Sequence, residues 1–220
     1  MTTFVKDTQT LSTRFREATS QAHDQAENRS FITDLMGGKL GRDAYVALAR
    51  QHHAIYSALE SAGDRLPIGD PARRLLIPEL IRATALTRDL ERLAGPDWEQ
   101  LPVVPATHRY VDRLERVAAT GPGYAGHAYT RYLGDLSGGQ VVRTMLERNY
   151  GFQPEELTFY AFGVKAKPFK DHYRALLDDL GFTAEQADTA VEEAVCAFEL
   201  NSALFDDLDQ YVGATRPQTG

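Results

Sequence analysis

RYLGDLSGGQVV, residues 131–142, sets Gly134, Gly138 and Gly139 inside what its neighbours write as one helix, from Tyr124 to Tyr150. A glycine in a helix interior costs about 1 kcal/mol relative to alanine. Three of them cost about 3 kcal/mol, a large part of a total stability of roughly 5–15 kcal/mol. Such a cost points to a purpose. The glycines permit a kink and let the backbone lie against something flat or bulky. The plainer reading ends one helix at Gly138 and starts another after Gly139. The two are compatible, because a helix broken over a ligand is still a broken helix. Asp135 stands among these glycines and is a poor residue for a helix interior. Its structural reading is a cap or a salt bridge to Arg131 at i−4. Its functional reading is a carboxylate that holds water in a pocket and relays protons.

Outward from this stretch the chain is helical in both directions. Leu11, Phe15, Ala18, Ala22 and Ala26 recur at three- and four-residue steps, with Thr8 or Thr10 to cap their helix. A short apolar piece, FITDLMGG, stops at Gly37–Gly38. Arg42–Arg65 is a second long helix with Tyr45, Leu48, Ala49, His52, Ile55, Tyr56 and Leu59 on one side. Ala72–Ala94 is a third, kinked or restarted at Pro78. Thr107–Ala118 follows, closed by Gly121–Pro122–Gly123, and Lys167–Leu180 and Ala184–Tyr211 complete the set. No alternating strand pattern occurs. The expectation is a single all-α domain of about eight helices over residues 11–211, between a flexible N-terminus (1–10) and a polar C-terminal tail (212–220). GxGxxG and GxxxxGK[ST] are absent, so no nucleotide cradle is indicated.

The 220 residues carry a net charge of −7, with 43% hydrophobic and 25% charged residues, the composition of an ordinary soluble domain. The acidic balance and the lack of any basic block argue against nucleic acid as a partner. No apolar run approaches the roughly 20 residues that span a bilayer, so no membrane partner is expected. The N-terminus, MTTFVKDTQT, has no apolar core of a signal peptide, and the expected location is cytoplasmic. The single cysteine, Cys196, excludes an intrachain disulfide and reads as a buried small hydrophobe.

His23 and Glu27 are i and i+4 on one helix face. A metal-bound histidine usually gives its second ring N–H to a carboxylate, and Glu27 is placed to accept it. A lone histidine on an amphipathic helix is nonetheless more often an ordinary core or boundary residue. Arg16 lies seven residues earlier, about 10 Å along the axis at nearly the same azimuth, where it suits an anion at the rim of a ligand held by His23. Lys170 and Arg174 form another i,i+4 pair that could clamp carboxylates or simply be a solvated basic edge. His52 and His53 point about 100° apart and cannot share a metal. His108, His127 and His172 lack an acidic residue three positions earlier. No Glu-x-x-His exists in the chain, which excludes a ferritin-like di-iron bundle. HExxH and GxSxG are also absent.

Three stretches, LSTRFREATSQAHDQAEN (11–28), HAYTRYLGDLSGGQ (127–140) and FELNSALFDDL (198–208), resemble the signature stretches of the heme oxygenases. The resemblance runs from about Leu11 to Tyr211. It implies an all-α fold that sandwiches heme b between a proximal helix and a kinked, glycine-rich distal helix, with heme as both substrate and cofactor. By resemblance, His23 is the proximal iron ligand and Glu27 its second partner. Gly134, Gly138 and Gly139 bring the distal backbone close to the heme, and Asp135 orders distal water that supplies a proton. Tyr56, Arg131 and Asn201 resemble members of the surrounding hydrogen-bond network. Arg16, Tyr129, Lys170 and Arg174 match the groups that hold the heme propionates, and Phe198 and Phe205 line the pocket. The implied reaction opens the porphyrin to biliverdin and releases CO and ferrous iron. It uses O2 and electrons from an external donor: a ferredoxin, a flavodoxin or an NAD(P)H-dependent reductase, docking near Lys170 and Arg174. Ser20 stands where some family members carry a lysine, which leaves the rim one charge weaker and bears on the expected α-meso outcome. The membrane anchor and Cys-Pro motifs of animal members are missing, so the chain looks like a soluble bacterial form serving iron recovery. The runner-up is a heme carrier or sensor that does not degrade its ligand. A third reading is a thiaminase-like enzyme without heme.

Overall fold

Ten α-helices and no strand occur in residues 9–117 and 120–215, the parts of the chain that the computed structural model describes. α1 (Leu11–Glu27) starts at Thr10, whose hydroxyl accepts from the Thr13 N–H, one of the orphan donors of a helix start. Its inner line differs from the expected one. Phe15, Thr19 and Ala26 are buried, whereas Ala18 faces solvent. Thr19 joins the inner face because its hydroxyl bonds back to the Phe15 carbonyl at 2.8 Å. The steps 15, 19, 23, 27 then carry one stripe down the helix from Phe15 to His23 and Glu27.

α2 (Ser30–Met36) is followed by α3 (Arg42–Arg65), which buries Tyr45, Leu48, Ile55, Tyr56 and Leu59 as its period requires. The expected third long helix is instead two 3₁₀ turns, Pro71–Leu75 and Pro78–Leu80, followed by α4 (Ala83–Ala94). Each turn carries a proline at its start, and the missing N–H of Pro78 rules out a continuous ladder. α5 (Pro105–Val117) ends before Gly121–Pro122–Gly123, and that triplet does not close it. It opens the next helix, α6 (Gly121–Ala128): Thr120 caps it and Pro122 sits in the first turn, where a proline costs nothing.

After α6 come a π-helical turn (Tyr129–Leu133), α7 (Gly134–Ser137) and α8 (Gly139–Tyr150). α9 (Ala166–Asp178) and α10 (Ala184–Thr215) complete the fold, α10 running four residues past the expected end at Tyr211. Residues 1–8 and 216–220 lie outside the described residues, with most of both expected tails. α10 packs along α6, α1, α5 and α2. It meets α6 backbone to backbone at Gly126, where a Cβ would come within 2.8 Å of the Ala194 nitrogen. That close approach fixes the π turn against α10.

Candidate active site

A cavity of about 680 Å³ opens between α1, α3, the 129–142 segment and α10. That volume is in the range of small-molecule sites. The segment that opened the sequence reading forms one wall. Its bend starts before the first glycine, in the π turn. There the Thr130 hydroxyl binds two carbonyls, Gly126 and Ala194, each at 3.2 Å. Such back-bonding bends a helix, and π turns recur at functional sites. The glycines themselves are ordinary right-handed helix: φ is −59° at Gly134 and −74° at Gly138. The ladder runs through the junction, from Gly138 N to Gly134 O at 2.8 Å and from Val142 N to Gly138 O at 3.0 Å.

What the glycines supply is missing side-chain bulk, and they supply it in two directions. A Cβ at Gly134 would meet nothing within 4 Å, and one at Gly138 only the Gly134 carbonyl at 3.6 Å. Both line the cavity. Gly139 is different. Its Cβ would lie 2.9 Å from the buried Tyr160 ring, so this glycine lets α8 seat on a core aromatic as well as bordering the cavity.

Asp135 lines the same wall, its side chain 17% exposed. Its carboxylate accepts from the Tyr56 hydroxyl, and the Arg131 guanidinium stands 3.6 Å away. The expected i−4 ion pair is therefore present. Arg131 donates its Nη1 to Asn201 Oδ1 at 3.1 Å, while its Nε and Nη2 are buried without a hydrogen-bond partner. Tyr56, Asp135, Arg131 and Asn201 thus form one network built by α3, the 129–142 segment and α10. Burial pushes the Asp135 carboxyl above the usual carboxylate range, against the pull of Arg131 and the Tyr56 hydroxyl.

His23 reaches the cavity from α1, half exposed, its ring edge-on to Phe198 at 5.4 Å. Two carboxylates flank it: Glu27 lies 3.4 Å from Nε2 and Asp24 3.8 Å from Nδ1. Asp24 escapes a reading based on i,i+4 spacing, because it is the next residue along. Among the described residues no three His, Cys, Asp or Glu side chains gather as a metal site, so His23 can offer one ligand only. Phe198, Phe205 and Asn201 bring α10 to the cavity.

Arg16, Tyr129 and Arg174 meet at the cavity edge. Tyr129 stacks on Phe15 at 4.4 Å, which ties the π turn to α1. Burial raises its phenol, and the cations of Arg174 and Arg16 pull it down. Lys170 does not join them. Its Nζ donates to Ser137 Oγ at 3.1 Å, on α7, and it does not line the cavity. Arg174 lines the cavity while pairing with Asp171 at 3.0 Å. Cys196 is half-buried rather than buried. Sequence reasoning passed over His52, which lines the cavity from α3. Its four-residue offset from both Leu48 and Tyr56 was the available signal.

This fold and site define an all-α protein that encloses one ligand between an imidazole-bearing helix and a bent, glycine-bearing one. The model of the heme oxygenase family matches residues 9–207. Human heme oxygenase 1 is 38% identical over 209 residues, which cover 92% of this chain and 73% of the human one. A heme oxygenase of Takifugu rubripes is 36% identical over 96% of this chain and 78% of its own. The crystal structure of heme oxygenase-1 from Synechocystis sp. PCC6803 in complex with heme superposes with a TM-score of 0.87 at 32% identity, covering 94% of this chain and 95% of that one. A TenA homologue of P. horikoshii, at 12% identity and a TM-score of 0.68, shares the fold alone. The chain belongs to the heme oxygenase family.

Proposed function

We propose that this protein binds heme in the cavity and degrades it to biliverdin, CO and ferrous iron. The residues present suit that ligand. The wall is mostly apolar and takes the macrocycle, Arg16 and Arg174 lie where its carboxylates would emerge, and Gly134 and Gly138 remove bulk where a flat body would press. A single imidazole, His23, suits an iron that arrives with four ligands of its own. Bound heme supplies the redox centre that takes up electrons and O2, and it is also the substrate.

The chain's own groups do the rest. His23 provides the axial nitrogen, with Glu27 as its carboxylate partner. Phe198 and Phe205 supply apolar wall. Arg16, Arg174 and Tyr129 orient the carboxylate edge and so select which meso carbon faces the reacting side. Lys170 acts indirectly, by holding Ser137 at the end of α7. Asp135 holds a proton at its carboxyl and passes it toward the cavity, and its raised proton affinity suits that task. Tyr56, Arg131 and Asn201 keep it aimed. Gly139 seats the bent segment on Tyr160.

The observation that carries the reading is a buried, raised carboxylate lining the same cavity as the one available imidazole. A carrier or sensor needs the imidazole but not the carboxylate. The sequence holds no dinucleotide motif, so electrons come from a separate donor, a ferredoxin, flavodoxin or NAD(P)H-dependent reductase, docking near Lys170 and Arg174. Among the described residues no helix is long and apolar enough to cross a membrane. We place the protein in the cytoplasm, as one domain from residue 11 through α10, serving iron recovery. The test is a hemin titration followed by reductant in air with an iron chelator. A Soret band that saturates and then bleaches as biliverdin absorption grows is the expected result. A Soret band that persists would make the protein a carrier, and no Soret shift would remove heme altogether.

A further inference from the structure

α3 presents Leu48, His52 and Tyr56 at successive i+4 steps, one line about 6 Å apart per step along the axis. Leu48 and His52 line the cavity, and Tyr56 holds Asp135. His52 is 7% exposed, and its Nδ1 is buried with no hydrogen-bond partner. Its ring lies against Phe159, 5.4 Å between centroids, in the same aromatic cluster as Tyr56. A buried polar atom without a partner is costly, and such atoms are rare unless something else uses them. A leucine of similar bulk, like the one a turn earlier, would fill this wall without that cost.

We propose that His52 is a positioning residue of the Asp135 network, hydrogen-bonding a small polar species held in the cavity between itself and the glycine-bearing wall. The species is water or a diatomic or azide-like ligand. The inference rests on heme binding as proposed above. Burial, then the Arg131 cation, hold the His52 imidazole well below its ordinary range. A neutral imidazole offers one donor and one acceptor, so it can link a bound species to a neighbour. The groups that face this position are Arg131 from the π turn, Asp135 from α7 and Tyr56 from its own helix, all bound to one another on the side away from His52's open nitrogen. Arg131 has donors to spare there as well.

Wild type, His52→Leu and His52→Gln test this. The first measurement is the melting temperature of each without heme. Relief of an unsatisfied buried group raises it in His52→Leu, and a fall in that variant would make His52 a structural residue and overturn the proposal. The second is a Soret titration with hemin. A wild type that shows no band sinks the proposed function, and this inference with it. Where all three bind hemin, azide affinity of the ferric form and the CO stretch of the ferrous form are read. His52→Leu should weaken azide about tenfold, equal to about 1.4 kcal/mol, and shift the CO band to higher frequency. His52→Gln, which keeps a donor, should recover most of both. Azide affinity within twofold of wild type and an unmoved CO band in His52→Leu would overturn the assignment while leaving heme binding intact.

Discussion

Two buried carboxylates hold the 121–150 segment to the rest of the molecule, and they are built differently. Glu193 of α10 takes the Arg113 guanidinium on both oxygens, with Nε at 3.1 Å, and the His127 ring at 3.2 Å. Asp135, two turns further along the segment from His127, has an arginine too, but Arg131 stands 3.6 Å off because it is committed to Asn201. The proton affinities separate accordingly. Burial raises both carboxyls. At Glu193 the His127 and Arg113 contacts outweigh it and hold the group below the usual range. At Asp135 burial wins. A closed pair belongs to the fold. A loosely held carboxylate, with unused guanidinium donors beside a cavity, is available for chemistry.

The sharpest test is activity. Asp135→Ala should cut biliverdin formation by about 10²-fold or more, the worth of a positioned proton donor, while the hemin Soret titration stays within about threefold. Glu193→Gln should leave turnover per folded molecule near wild type, and a comparable loss there would end the distinction between the two carboxylates. Stability comes next. Glu193→Gln should cost about 2 kcal/mol by denaturant titration, less than a fully buried pair because Arg113 is 37% exposed.

The pH dependences should have opposite signs. Glu193 has a depressed folded pKa, so its contribution is full above the unfolded carboxylate value of about 4.3 and is lost as pH falls through the folded value. The Glu193→Gln deficit should therefore shrink in acid. Asp135 has a raised folded pKa, so its contribution is full below the unfolded value of about 3.9 and is lost as pH rises through the folded one. At neutral pH its ionised form costs stability. Asp135→Asn should raise the melting temperature at pH 7, by up to about 1.4 kcal/mol per unit of elevation, with the gain gone below about pH 4. Equal melting temperatures at pH 7 would count against it.

The smallest effects divide the glycines. Gly139→Ala meets the Tyr160 ring and should destabilise by about 1–2 kcal/mol even after the gain in helix propensity. Gly134→Ala meets open space and should stabilise the heme-free protein by up to about 1 kcal/mol, while hemin affinity falls. A destabilised Gly134→Ala would show that this wall is packed by the fold.

Much of this was legible in the residues. The helical period placed α1, α3 and α10, and the glycine cluster with Asp135 marked the site, because both are local properties. What escaped was set by neighbours distant in sequence. Gly139 shares its motif with Gly134 but faces a tyrosine 21 positions later. Lys170 and Arg174 share a helix face, yet their partners on α7 and α9 separate them. Gly121–Pro122–Gly123 reads as a stop as readily as a start, and Thr120 decides it. His52 failed a test for shared metal binding and was passed over, although its place between Leu48 and Tyr56 was written in the sequence.

The π turn at Tyr129–Leu133 has a consequence for how this wall can evolve. Each residue of an α-helix advances the chain by about 100° of rotation, and a π turn closes its hydrogen-bonded ring over one residue more than an α turn does. Substitutions within it tune one side chain at a time. Loss of a single codon there would draw the turn into ordinary helix and swing everything downstream by about 100°. Asp135, Gly134 and Gly138 would rotate off the cavity together. The catalytic wall is therefore tolerant of point changes but guarded by chain length, and length variation among descendants of this sequence should be confined to places outside these five residues.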